Sequence, residues 1–210
     1  MSGLLDLLNS PMGKQIISGV SGSTGQSESA TGSLLSMAMP VLMGAMKKNV
    51  QTPDGAAGLM GALSGKHDGG ILDNLGGLFQ GGVDESVTKD GDGILGHLLG
   101  GNRSNVESAL SQKSGIDAGS VGQILKVAAP ILMGVLGKQT KQAGVSDAGG
   151  MNALLGGMLG GQPKENQSLI SSLLDADGDG SILDDVAGMV LGGNKKGGGL
   201  GGLLGGLFGK

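Results

Sequence analysis

Leu34-Leu-Ser-Met-Ala-Met-Pro-Val-Leu-Met-Gly-Ala-Met-Lys-Lys48 and Ile124-Leu-Lys-Val-Ala-Ala-Pro-Ile-Leu-Met-Gly-Val-Leu-Gly-Lys138 are two versions of one segment, 90 residues apart. Seven of the fifteen positions are identical, and Pro40 and Leu42-Met43-Gly44 fall on Pro130 and Leu132-Met133-Gly134. Self-similarity of this kind reads as one structural unit used twice. In the first copy Leu34, Ala38, Val41 and Ala45 make one apolar stripe at helical spacing, and Leu35, Leu42 and Met46 make the next. A helix that is apolar on more than one face belongs in a core. The proline costs about 3 kcal/mol in an ordinary helix interior. Its recurrence therefore predicts a kink, or a break with Pro40 and Pro130 each opening a second short helix.

Outward from these segments, both copies run into a second apolar stretch, Ala56 to Leu63 and Met151 to Leu159. Each then reaches an Asp-Gly element followed by Ile-Leu, in His67-Asp68-Gly-Gly-Ile-Leu72 and Gly178-Asp179-Gly-Ser-Ile-Leu183. A third version is Asp90-Gly-Asp-Gly-Ile-Leu95. The expectation is a turn that introduces a short helix, capped by Asp or Ser, with Ile-Leu facing the core. Ser10-Pro11 reads as a cap and first helical residue, with Leu4, Leu8, Met12 and Ile16 as a stripe. Ser114-Gly-Ile-Asp-Ala118 reads as a helix stop followed by the cap of the second central helix. Residues 21–32 and 139–150 read as polar, small-residue linkers.

Composition narrows the function. The chain of 210 residues holds 47 glycines, far above the usual share of about 7%, so turns and glycine-rich connections are frequent. With two Phe and neither Trp nor Tyr, the core is built from Leu, Met, Ile, Val and Ala. Methionine specifies geometry weakly, and self-association is the expected remedy. A net charge of −4 and a single arginine, Arg103, argue against a nucleic-acid partner, whose phosphates call for clustered Lys and Arg. The absence of cysteine removes disulfides, thiolate nucleophiles and zinc-thiolate sites. Met1-Ser-Gly-Leu-Leu-Asp6 lacks a basic leader, and the apolar run Leu34 to Met46 is shorter than the roughly 20 residues that cross a bilayer. A cytoplasmic location is expected, without a signal peptide or transmembrane segment.

Specific chemistry is legible at one loop. Asp175, Asp177 and Asp179 alternate, followed by Gly180 and Ile182, as in the first eight positions of a helix-loop-helix calcium loop. The second half departs from that pattern, with Leu183 at position nine and Val186 at position twelve, so Asp184 or Asp185 would have to close the site. Calcium is the one cofactor to which the sequence points. If Asp179 is equivalent to Asp68, however, it serves as a helix cap instead. Asp90 and Asp92 are weaker candidates for the same cation.

Neither histidine, His67 nor His97, sits in a recognisable catalytic pattern; both read as surface or turn residues, and Ser64 carries no mark of activation. No catalytic residue is assigned. The C-terminal Gly197 to Lys210 is low-complexity Gly/Leu with Leu200, Leu203, Leu204, Leu207 and Phe208 at helical spacing. It reads as a flexible terminus, with an inducible amphipathic tail as the alternative.

Asp92-Gly-Ile-Leu-Gly-His-Leu-Leu-Gly100, Val106-Glu-Ser-Ala-Leu-Ser111, Ser114-Gly-Ile-Asp117 and Ala129-Pro-Ile-Leu-Met-Gly-Val-Leu-Gly-Lys138 together resemble the bacterial domain-of-unknown-function family 937, the YidB-like proteins. The resemblance is strongest from Asp90 to Lys138, and the first half of the chain looks like a diverged copy. It implies a multihelical bacterial domain, typically cytosolic, and brings no activity or catalytic residues with it.

The reading is an all-α, multihelical protein of two related helical units joined by Gly-rich turns: residues 1–82, residues 83–193 with the Asp-rich loop, and a tail, 194–210. Its expected role is that of a non-enzymatic interaction or assembly protein that associates with itself or a protein partner. The alternatives are a small calcium-binding protein using Asp175 to Asp185, and a peripheral membrane protein using its C-terminal tail; membrane contact is the less favoured.

Overall fold

The computed structural model describes residues 4–160 together with Ile170 and Leu173. All regular structure among them is helical. In chain order the helices are α1 (Leu4–Asn9), α2 (Pro11–Thr24), α3 (Glu28–Val50), α4 (Pro53–Ser64), α5 (Leu75–Phe79), α6 (Glu85–Leu99), α7 (Arg103–Ser114), α8 (Ala118–Ala143) and α9 (Ala148–Leu159). Short 3-10 turns occupy Gly70–Asn74 and Gly100–Asn102.

The two similar segments form the middle of α3 and α8, and both are core helices. Leu34, Leu35, Ala38, Val41, Leu42, Ala45 and Met46 are all buried, as are Ile124, Leu125, Ala128, Ile131, Leu132 and Val135. The helices run continuously through Pro40 and Pro130. The sequence left open a break at each proline; surrounding helices bury both segments, and packing outweighs the lost hydrogen bond. By length and hydropathy either helix could cross a membrane, yet 67% and 78% of their apolar windows lie inside the protein.

The remaining helices enclose this pair. α2 and α7 each pack on both α3 and α8, α6 lies mainly along α8, α4 touches both central helices, and α9 packs on α3 and α4. Helices from before and after residue 82 therefore share one core.

The 90-residue offset extends well beyond the segments that display it in sequence. α2 and α7 end on Gly25 and Gly115, both left-handed, at φ 70° and 73°. Ser27 and Asp117 then cap α3 and α8, each accepting the N–H three residues on, from Ala30 at 3.2 Å and from Ser120 at 2.9 Å. Ile16 and Val20 of α2 are buried, as are Val106 and Leu110 of α7. Thr31 and Val121 are likewise 90 apart and both fully buried, but the Thr31 hydroxyl finds no hydrogen-bond partner.

The cap read at Ser10-Pro11 is present, with Ser10 Oγ accepting the Gly13 N–H at 3.1 Å. Two expectations need correction. The supposed linkers 21–32 and 139–150 are mostly helix, leaving only residues 25–27 and 144–147 between helices. Asp90 to Gly93 is not a turn but the interior of α6. The reason is tertiary: a Cβ at Gly91 would run into the Lys126 carbonyl oxygen of α8, so glycine there permits a backbone-close crossing. That carbonyl is the one Pro130, lacking an N–H, leaves without its usual donor four residues on. Ile94 and Leu95 do face the core, as expected.

Candidate functional site

A cleft of about 860 Å³ opens between α4 and α6. α4 starts sharply because Thr52 Oγ1 accepts the Gly55 N–H at 3.1 Å and Pro53 takes the first helical position. α6 starts on Asp84, whose carboxylate accepts the Ser86 N–H at 2.7 Å; the Ser86 side chain, and then that backbone bond, hold the Asp84 carboxyl below its ordinary pKa. Leu59 and Ala62 of α4, Ile94 and Leu98 of α6, and Met133 of α8 supply the apolar lining. Gly58 and Gly93 also line the cleft, and a Cβ at either would meet only open space.

Polar groups gather at the end of α4. The His67 N–H donates to the Ala62 carbonyl at 2.9 Å, which folds the chain back under the helix. The His67 carbonyl then lies against Gly137 of α8, where any Cβ would collide with it. The side chain is 8% exposed, and Nε2 stands 3.6 Å from Asp90 Oδ2, too far for a hydrogen bond. Asp90 Oδ1 accepts from Lys66 Nζ at 2.6 Å. Burial pushes the His67 pKa below the ordinary imidazole value; Asp90 opposes that shift, and Lys66 adds to it. Burial thus favours the neutral ring. His97 is seven residues after Asp90 on α6, hence on the same flank, and lines the same cleft from an exposed position.

Both histidines thus face one cavity. His67 was read as a surface or turn residue: it does stand in a turn, but a buried one. Ser64 does not line the cleft; its hydroxyl donates to the Gly61 carbonyl at 3.2 Å.

The acidic candidates fall into separate environments. Asp175, Asp177, Asp179, Asp184 and Asp185 lie outside the described residues. Asp68, the counterpart of Asp179, accepts the Gly70 N–H at 3.1 Å through Oδ1 and pairs with Lys141 at 2.8 Å through Oδ2. The Lys141 hydrogen bond, then the Gly70 N–H, hold its carboxyl below the ordinary value. Asp90 and Asp92 do not converge on a common cation, because Asp92 meets Lys126 and Arg103, each at 3.0 Å, while Asp90 meets Lys66. Among the described residues, no group of three or more His, Cys, Asp or Glu could hold a metal ion.

The chain matches the family model of a bacterial protein of unknown function, DUF937, over residues 6–139 and again over 141–210. It belongs to this family. The match reaches far beyond the Asp90 to Lys138 motifs and takes in the Asp-rich loop. No curated protein and no solved structure matches.

Proposed function

We propose that this is a non-enzymatic bacterial interaction protein, and that the cleft between α4 and α6 is where it receives an apolar segment of a partner. The observation that carries this reading is the distribution of groups around the cavity. Leu59, Ile94, Leu98 and Met133 are spread along it, while Lys66 and Asp90 neutralise each other at one end. Such a surface gains by burying apolar area, and of its other charged lining residues Lys89 is paired with Glu85 at 3.0 Å, which leaves Asp54 as the charge without an ion pair among the described residues. Glycines at 58 and 93 keep the mouth wide.

The test exploits that space. The fluorescent naphthalene probe ANS is titrated into the intact protein and into a Gly58→Leu/Gly93→Leu variant. Both substitutions add good helix formers where there is room, so the fold should survive. One saturable site per chain, lost in the variant, supports the reading; equal binding by both proteins would sink it.

The same proposal takes the chain as a duplication, residues 1–82 and 83–193 being related units with 194–210 as tail. The matched caps at Gly25/Gly115 and Ser27/Asp117 support it. We place the protein in the cytoplasm, associating with itself or a protein partner rather than nucleic acid. Its one arginine is engaged by Glu107 at 2.8 Å and Asp92 at 3.0 Å, which supports the last point. The competing reading, a calcium-binding protein, rests on the spacing of Asp175, Asp177 and Asp179.

A further inference from the structure

The chain contains two aromatic residues, Phe79 and Phe208, and each ends the same pentapeptide: Leu75-Gly-Gly-Leu-Phe79 and Leu204-Gly-Gly-Leu-Phe208. The first copy is α5. It packs on α2, and its seat is cut for the ring: a Cβ at Gly19 of α2 would run into the Phe79 side chain, and Gly76 passes over Gln15.

The grip of α5 on this seat is light. The helix has five residues; Leu75 is buried, whereas Leu78 and Phe79 are only half-buried. Immediately after it, Gly81 and Gly82 both take positive φ, 80° and 102°, so the exit from the helix carries no side chain that would resist re-orientation. A short segment held by two leucines and one ring, and released through paired glycines, is exchangeable with any segment presenting the same groups in the same order.

We infer that Leu204–Phe208 of a second copy of the chain is an alternative occupant of the α5 seat on α2, exchanging with Leu75–Phe79. The same-offset face of α7 does not compete. Ala109 stands where Gly19 leaves room for the ring, and Asn105, Ser108 and Gln112 make that face polar and exposed. Docking at α2 buries the apolar side chains that give the tail its helical stripe. Because the tail comes from a second copy, the exchange joins two chains. This deepens the interaction-protein reading by naming a self-binding segment, but it does not involve the α4/α6 cleft, so either can fail alone.

The test places the photoreactive amino acid p-benzoylphenylalanine at position 208 of the full-length chain and maps its adducts by mass spectrometry after irradiation. Adducts between Gln15 and Gly22 of α2 are expected. Their yield should rise several-fold when α5 is weakened by Phe79→Ser, and fall to background when the seat is filled by Gly19→Leu. Because Gly19→Leu could disturb α2, Leu207→Ser in the tail is the companion variant. It leaves residues 4–160 untouched and should by itself cut the yield several-fold. Adducts confined to other helices, or a yield on α2 indifferent to Phe79→Ser and Leu207→Ser, would overturn the inference. The α2 adducts should have the mass of two joined chains; adducts of single-chain mass alone would likewise overturn the inference.

Discussion

His67 Nε2 and Asp90 Oδ2 face each other at 3.6 Å on the rim of the α4/α6 cleft, one from the turn after α4 and the other from the middle of α6. The pair joins two segments that meet only through tertiary structure, with Lys66 holding the other carboxylate oxygen. Since burial is the leading influence on His67, its pKa is lower in the folded than in the unfolded chain.

That sign gives the first prediction. As pH falls through about 6.5, the unfolded chain takes up a proton that the folded chain does not, so stability drops until the folded pKa is reached. The contribution is fully present above the unfolded pKa. Urea midpoints measured from pH 7.5 to 5 should therefore decline, and His67→Asn should flatten the decline. A variant with the same slope as the parent would show that His67 is not its source. The depressed carboxyls of Asp68, Asp92 and Asp117 act in a separate window, losing their contribution only as pH falls below the usual carboxylate range.

Gly91→Ala sets helix propensity against packing. Alanine should gain roughly 0.5–1 kcal/mol in a helix interior. Its methyl would be driven into the Lys126 carbonyl, and overpacking against backbone costs about 1–3 kcal/mol. A net loss in thermal or urea unfolding is expected; a stabilised variant would contradict the crossing described here.

Thr31→Val should stabilise. The hydroxyl is buried without a partner, and Val121, 90 residues on, occupies the corresponding site in α8. Removing an unsatisfied buried hydroxyl while keeping the shape should gain on the order of 1 kcal/mol. The readout is the urea midpoint at unchanged slope.

The calcium reading is decided by calorimetry on the full chain and on Asp175→Ala/Asp177→Ala/Asp179→Ala. Binding in the micromolar to sub-millimolar range, abolished in the variant, is what a loop of this spacing predicts. Absence of heat in the parent would leave Asp179 a turn role like that of Asp68, which accepts the Gly70 N–H.

The central helices were legible because their apolar residues cover two faces and their prolines recur at one spacing. The stop and caps at Ser10, Gly115 and Asp117 were legible for local reasons, since capping depends on residues three apart. Asp90 to Gly93 misled because Asp-Gly is a turn signal in isolation, whereas here contact with α8 sets the conformation. Residues 28–32 misled because Ser, Thr and Gly are weak helix formers that a long flanking helix carries along, and residues 139–143 because a polar run resembles a linker although Gln, Lys and Ala favour helix. The cleft was hidden because its lining comes from residues as distant as Asp54 and Met133. One signal was available and unused: Gly25 and Gly115, and Ser27 and Asp117, keep the same 90-residue spacing as the prolines.

The meeting of Gly91 with the carbonyl that Pro130 exposes ties two positions into an evolutionary couple. Where a relative keeps proline in the second central helix, the position opposite its freed carbonyl should stay glycine. Where the proline is lost, the restored hydrogen bond draws that oxygen back into its own helix, and alanine becomes admissible across the crossing. Paired substitution at these two sites, rather than invariance at either, is the trace such a contact leaves among descendants of one ancestral chain.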